Sequence, residues 1–277
     1  MAYVPHWTLE DIPWAEIDRT KIDDDVLKVI KTAALVEYNA RTYTDYLIKV
    51  FDDDPEFRDL ALEWAEEEVR HGKALGKWAE LADPGFSLER AFGRFTAGFK
   101  VPDPVAGKKS IRGSRSGELV ARCMVETGTS SYYTAIADAV EEPVLKKICR
   151  HIAADELRHY KLFYVHLKRY LERERVSRWR RVWIGIGRVV ETEDDELAYA
   201  YYAANAGAEQ VYERRTWNRA YARRAYAFYR PHHLNRAAAM IFKACGLKTH
   251  TRLFNAAAAL LRWVFHTRAQ RLATAGA

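Results

Sequence analysis

The sequence predicts an all-α protein, on the strength of its composition, its helical periodicity and the placement of its helix breakers. Of 277 residues, 49% are hydrophobic and 30% are charged, which is enough apolar material for a sizeable core and excludes a disordered or fibrous chain. The 14 Gly and 8 Pro residues lie mostly between or after segments of helical periodicity, which disfavours a turn-rich all-β fold.

Three regions follow one another along the chain. Residues 1–23 contain Pro and Trp and predict an extended N-terminal arm. Residues 24–174 predict a four-helix bundle, in which a long loop rich in Gly, Pro, Ser and basic residues covers 100–117. Residues 175–277 predict an additional C-terminal helical region that packs on the bundle. The four predicted bundle helices cover residues 24–50, 55–82, 118–140 and 141–174.

Each predicted bundle helix carries ionisable groups on its most apolar face. Residues spaced alternately four and three apart form these faces, and each face is interrupted by a carboxylate or by a carboxylate and an imidazole. Burying such a carboxylate costs several kcal/mol unless a positive charge compensates it, and one metal cluster would compensate all four faces. The predicted metal ligands are Glu37, Glu68, His71, Glu126, Glu156 and His159.

The ligand pattern repeats within the chain. Glu37 precedes the first Glu-x-x-His motif by 31 residues, and Glu126 precedes the second by 30. A Glu and a His three residues apart lie on one helix face, so each motif can offer an oxygen and a nitrogen to one metal ion. A single motif arises by chance in a charged helix, but four Glu and two His in this order are the ligand set of di-iron and di-manganese carboxylate bundles.

The segments around these residues resemble a known family. The stretches WAEEEVRHGKAL, VETGT and KICRHIAADELRH are similar to motifs of the ferritin-like superfamily and, within it, of the soluble acyl-carrier-protein desaturases. The resemblance covers about residues 24–172, and the last stretch is its most specific part. It implies a ferritin-like four-helix bundle with two iron ions, an external electron donor, and dioxygen-dependent desaturation or hydroxylation of a fatty-acyl or lipid-like substrate, free or bound to a carrier protein.

Two further residues are predicted to act beside the metal ligands. The resemblance implies that Thr129 takes part in proton delivery to bound oxygen, whereas the alternative is a core threonine bonded to its own helix backbone. Asp155 is a candidate acceptor for the N–H of a ligand histidine, whereas the alternative is a surface charge beside Glu156.

Other functions remain open at the level of the sequence. Manganese or a mixed manganese–iron pair uses similar ligands. A di-iron hydroxylase of a tRNA nucleoside and a rubrerythrin- or ferritin-like protein that handles iron or peroxide are alternative functions, and a helical adaptor without metal is the remaining one. The sequence has no C-x-x-C pair for a rubredoxin-type module, and its long basic extension is atypical of a storage cage.

The C-terminal part of the chain is strongly basic. After Glu213 the sequence contains 13 Lys and Arg residues and no Asp or Glu, and aromatic residues are interleaved with them. An acidic carrier protein, an anionic membrane surface or a nucleic acid would each complement this charge, and a solvated helical face is the alternative without a partner. A homodimer also stays open.

The cysteines and the N-terminus bear on the compartment. Cys123, Cys149 and Cys245 are odd in number and widely spaced, which disfavours disulfides and fits a reducing environment. Cys123 and Cys149 are predicted to be small buried side chains. The N-terminus lacks the pattern of a signal peptide. These features predict a cytoplasmic protein that is at most peripheral to the membrane.

Overall fold

The computed structural model describes residues 5–99, 110–191, 195–207 and 209–274, which form helices and connecting turns. No strand occurs in these ranges, and the predicted all-α class is therefore confirmed. Three 3-10 turns cover Leu9–Asp11, Trp14–Glu16 and Arg19–Lys21. The α-helices are α1 (Asp24–Tyr38), α2 (Ala40–Val50), α3 (Pro55–Ala82), α4 (Leu88–Gly98), α5 (Arg115–Ala139), α6 (Pro143–Glu174), α7 (Arg178–Glu191), α8 (Asp195–Asn205), α9 (Arg214–Ala227), α10 (Pro231–Ala244) and α11 (Arg252–Thr274).

Local sequence explains where the first helices begin. The side chain of Asp23 accepts a hydrogen bond from the backbone N–H of Val26 at the start of α1, and Asp54 accepts one from Phe57 at the start of α3. Pro55 occupies the first helical position of α3, where no N–H is required. The predicted start of the second bundle helix is thus confirmed.

The predicted helix over residues 24–50 is in fact two helices, separated at Asn39. The backbone of Asn39 lies at φ −81° and ψ 3°, outside the helical region. Its side-chain oxygen accepts a hydrogen bond from the Thr42 hydroxyl at 3.0 Å. Such local side-chain bonds compete with helical hydrogen bonds and favour an interruption. The break follows Glu37 by two residues, so it lies next to a predicted metal ligand.

The described residues of the N-terminal arm, 5–23, contain the three 3-10 turns and two buried apolar side chains. Trp7 and Ile12 are each 3% exposed. Lys147 of α6 donates a hydrogen bond to the carbonyl of Asp11 at 2.7 Å. This part of the chain is therefore packed against helices rather than extended into solvent.

The described helices group into two compact units. The first unit comprises the described parts of residues 1–103, 136–151 and 193–225, and the second those of 104–135, 152–192 and 226–277. In the first unit α1 packs on α3 and α8, α2 packs on α3, and α4 packs on α8. In the second unit α10 packs on α11. Residues 100–109 of the predicted long loop lie outside the described residues.

The hydrophobicity of the helices bears on membrane insertion. Among the described residues, no helix is long and apolar enough to cross a bilayer.

Candidate metal centre

The first unit contains a buried cluster of two carboxylates and one imidazole. Glu37 lies on α1, and Glu68 and His71 lie one turn apart on α3. The Nδ1 atom of His71 is 3.9 Å from Oε2 of Glu37 and 3.6 Å from Oε2 of Glu68. All three side chains are buried, with His71 fully so. We call these three residues the first triad.

The second unit contains a cluster of the same composition. Glu126 lies on α5, and Glu156 and His159 lie one turn apart on α6. The Nδ1 atom of His159 is 3.7 Å from Oε2 of Glu126 and 3.8 Å from Oε2 of Glu156. These side chains are at most 3% exposed. We call them the second triad. The six predicted ligands are thus brought together as two triads, one in each unit.

The spacing within each triad fits coordination of a metal ion. The donor atoms within a triad lie within 4.8 Å of one another. Two atoms that each lie about 2.1 Å from one ion are separated by roughly 3 to 4 Å, which matches the measured nitrogen–oxygen spacings. These spacings exceed the length of a normal hydrogen bond. Each triad therefore offers two oxygens and one nitrogen, a mixed donor set that divalent transition-metal ions accept.

Thr129 lies on α5, close to the second triad. Its hydroxyl donates a hydrogen bond to Oε2 of Glu156 at 2.6 Å, a short distance typical of a bond to a charged acceptor. The same hydroxyl is 3.3 Å from the carbonyl oxygens of Val125 and Glu126 on its own helix. Thr129 therefore contacts a predicted ligand, although the backbone contacts of a core threonine are present too.

Asp155 is fully buried, so the alternative of a surface charge is wrong. It forms an ion pair with Arg158 one turn along α6. The first unit repeats this arrangement, because Glu67 and Arg70 pair at 4.0 Å on α3. Both motifs thus read acid-Glu-x-Arg-His, a signal that was present in the sequence beyond the two ligands themselves.

A tryptophan that sequence reasoning missed lies against the first triad. The Trp7 ring stacks parallel to the His71 ring, with centroids 6.0 Å apart and planes 1° apart. It also stacks on His151 at 5.2 Å, and the Arg70 guanidinium lies 5.2 Å from its centroid. Burial lowers the pKa of Arg70, an effect that the Glu67 and Glu68 carboxylates oppose. Trp7 therefore fixes the plane of a candidate ligand ring from the N-terminal arm.

Two of the buried cysteines have raised pKa values. Burial raises the pKa of the Cys123 thiol, and the Glu126 carboxylate adds to this shift. Burial also raises the pKa of Cys149. The thiolate is the form that binds metal, and a raised pKa disfavours it. All three cysteines are free and buried, and the burial of Cys123 and Cys149 is as the sequence predicts.

Part of the predicted basic and aromatic surface has partners inside the first unit. Arg224 of α9 forms an ion pair with Asp25 at 2.6 Å. The Tyr202 ring packs on Trp217 with centroids 5.2 Å apart, and Tyr201 packs on Tyr221 at 6.0 Å. These residues of the basic region thus contribute to packing.

Close approach of α1 and α3 depends on a glycine beside the first triad. A Cβ added to Gly72 would lie 2.6 Å from the backbone nitrogen of Tyr38 and 2.7 Å from its Cα. Both residues directly follow ligands, since Gly72 follows His71 and Tyr38 follows Glu37. The absent side chain of Gly72 therefore allows the two helices to bring their ligands within range of one ion.

We expect Gly72→Ala to lower the free energy of unfolding by about 2 kcal/mol, because the added methyl group meets backbone atoms that cannot rotate away. We also expect weaker metal binding, measured as the iron content at limiting iron. Gly93→Ala in α4 is the matched control, since a Cβ there meets nothing within 4 Å. Equal unfolding curves for the two variants would show that the helices do not need this close contact.

Comparison with family models and with curated proteins found no relative of this chain. No family model matches the chain, and no curated protein matches it either. The residues of the two triads and the motifs around them are therefore the features that indicate a function.

Proposed function

We propose that the protein is a dioxygen-dependent di-iron oxidoreductase, a desaturase or hydroxylase, that acts on a fatty-acyl or lipid-like chain. The observation that carries this proposal is the pair of buried triads, each composed of two glutamates and one histidine at matching helix positions. Charged carboxylates are seldom buried without compensation, and two triads of the same unusual composition point to the same compensating ion.

In this proposal the chain holds a dinuclear iron centre of the kind found in ferritin-like four-helix bundles. The three donors of each triad are fewer than iron uses with oxygen and nitrogen ligands, so further donors would complete its coordination. The repeated spacing of 31 and 30 residues supports a centre built from one helix pair used twice. Manganese or a mixed manganese–iron pair would use the same donors.

The residues of the chain have separate roles in this chemistry. Two reduced iron ions, when bound, would supply the activation of dioxygen that attack on an unactivated C–H bond requires. Thr129 holds a proton at Oε2 of Glu156, from which it can be passed on during turnover. The buried Asp155 carboxylate, which forms an ion pair with Arg158, directly precedes Glu156 and would help to position it. Burial of both triads excludes water from the reacting groups.

The substrate class follows from the resemblance and from the charge of the C-terminal region. The motifs around both Glu-x-x-His units resemble those of desaturases that act on acyl chains held by an acidic carrier protein. A carrier protein or another anionic partner would be attracted by a chain segment with 13 basic residues and no acidic residue after Glu213. Electrons would come from an external donor.

The test is dioxygen uptake by the iron-loaded, anaerobically reduced protein, followed by mass spectrometry of added acyl-carrier-protein substrates. We expect uptake that depends on iron, and a product lighter by two hydrogens or heavier by one oxygen. Failure of the reduced protein to consume dioxygen would refute the oxidase function. Uptake with modification of a tRNA nucleoside, and of no acyl chain, would instead select the nucleoside hydroxylase.

A further inference from the structure

Helix α7 in the second unit packs through the face that contains Gly185. A Cβ added to Gly185 would lie 3.5 Å from the sulfur atoms of both Met124 and Cys245. The Cys245 thiol donates a hydrogen bond to the carbonyl of Arg181 at 3.7 Å, and the Arg181 guanidinium lies over Gly246. The side of α7 that faces the protein therefore contains Gly185 and Arg181, and also Ile184, whose Cδ1 atom is 3.1 Å from the position of a Cβ added to Gly117.

The opposite side of α7 presents its largest apolar residues to solvent. Trp179, Trp183 and Ile186 are spaced four and three residues apart, so they form one stripe along the helix. Their exposed fractions are 72%, 71% and 50%. The two tryptophans together expose on the order of 300 Å². A contiguous patch of that size on a soluble protein marks an interaction surface rather than scattered surface residues.

Helix α11 in the same unit also exposes large apolar side chains to solvent. Ala258 is buried, whereas Leu260, Trp263 and Val264 are 59%, 64% and 41% exposed. Thus two helices of the second unit turn their apolar residues outwards, and in both helices the exposed stripe includes tryptophan.

The charge around these stripes selects the partner. Arg178 and Arg180 are exposed on α7, beside the tryptophans. Residues 226–274 of the second unit carry basic residues and no acidic residue. A second copy of the chain would place these positive charges against one another, which disfavours a symmetric contact. An acidic protein would need a fitted pocket for each tryptophan, whereas the headgroup region of a bilayer accepts exposed tryptophan and arginine side chains without one.

We propose that the Trp179–Trp183–Ile186 face of α7 docks the protein peripherally on an anionic phospholipid membrane. The tryptophans enter the interfacial region of the bilayer, and the arginines contact lipid phosphates. The exposed stripe of α11 provides a second contact of the same chemistry. This inference goes beyond the proposed oxidase function and does not depend on it, because no residue of either triad takes part.

The experiment is sedimentation of the full-length protein with phosphatidylcholine vesicles, with and without phosphatidylglycerol, with tryptophan fluorescence as a second readout. We expect binding and a blue shift of the emission only with phosphatidylglycerol, and weaker binding at high salt. The double variant Trp179→Gln, Trp183→Gln is expected to bind about tenfold more weakly or worse. A variant with Trp179→Phe and Trp183→Phe should retain most of the binding.

The matched control replaces two exposed apolar residues elsewhere, Leu62→Gln with Val165→Gln, and should bind as the wild type does. Unchanged binding of the Trp179→Gln, Trp183→Gln variant would overturn the proposal. Equal binding to both kinds of vesicle would overturn it too. So would a wild-type protein that forms dimers instead of binding vesicles, if the Trp179→Gln, Trp183→Gln variant is monomeric. The metal-free protein is expected to bind the vesicles equally well. A failure to bind membranes can therefore be distinguished from a failure of the oxidase function.

Discussion

Replacing His71 or His159 with alanine is expected to reduce iron binding at least 100-fold and to abolish iron-dependent dioxygen uptake. Each histidine supplies the only nitrogen of its triad, and its Nδ1 atom lies 3.6–3.9 Å from the carboxylate oxygens beside it. Without the imidazole, two buried carboxylates face a cavity with too few donors for iron. The measurements are iron content after reconstitution and the rate of dioxygen uptake.

The matched control is His250→Ala, which removes an exposed histidine from the second unit. We expect this variant to bind iron and consume dioxygen as the wild type does. If His71→Ala and His159→Ala also retain wild-type iron content and uptake, the triads are not metal sites.

Glu142→Ala is expected to lower the free energy of unfolding by ~3–5 kcal/mol. Glu142 is 1% exposed and precedes the first residue of α6. Its carboxylate accepts a hydrogen bond from Nε1 of Trp78 at 2.8 Å and others from the backbone N–H groups of Asp18, Val144 and Leu145. Alanine would remove the shared acceptor and leave these donors buried. Urea denaturation followed by circular dichroism measures the change.

The neighbouring variant Glu141→Ala serves as the control, because Glu141 is exposed. Its effect should stay within about 0.5 kcal/mol, as for most surface substitutions. Similar midpoints and slopes for the two variants would show that the Glu142 hydrogen bonds do not anchor α6.

Local periodicity predicts the all-α class and the six candidate ligands, but not the helix break at Asn39. Glu126 and Glu156 interrupt apolar stripes, and a charged residue on such a stripe is informative because burial requires compensation. No motif surrounds Glu37 in the sequence, yet this residue too is buried beside His71. The residues of each triad can thus be predicted from the positions on one face of each helix and from the repeat of the ligand pattern along the chain.

The features that were missed depend on contacts between distant segments. Trp7 stacks on His71 across 64 positions of sequence, and nothing in the local pattern of the arm predicts that contact. The clearance at Gly72 depends on the position of Tyr38 on another helix. The outward orientation of Trp179 and Trp183 was also not predictable, because periodicity identifies an apolar face but not the side to which it turns.

The central proposal is that the six candidate ligands hold two iron ions, and iron titration of the metal-free protein tests it most directly. We expect each chain to bind two iron ions, and the His71→Ala and His159→Ala variants each to bind fewer. Binding of one ion or none by the wild-type protein, or of two ions by both variants, would contradict the proposal.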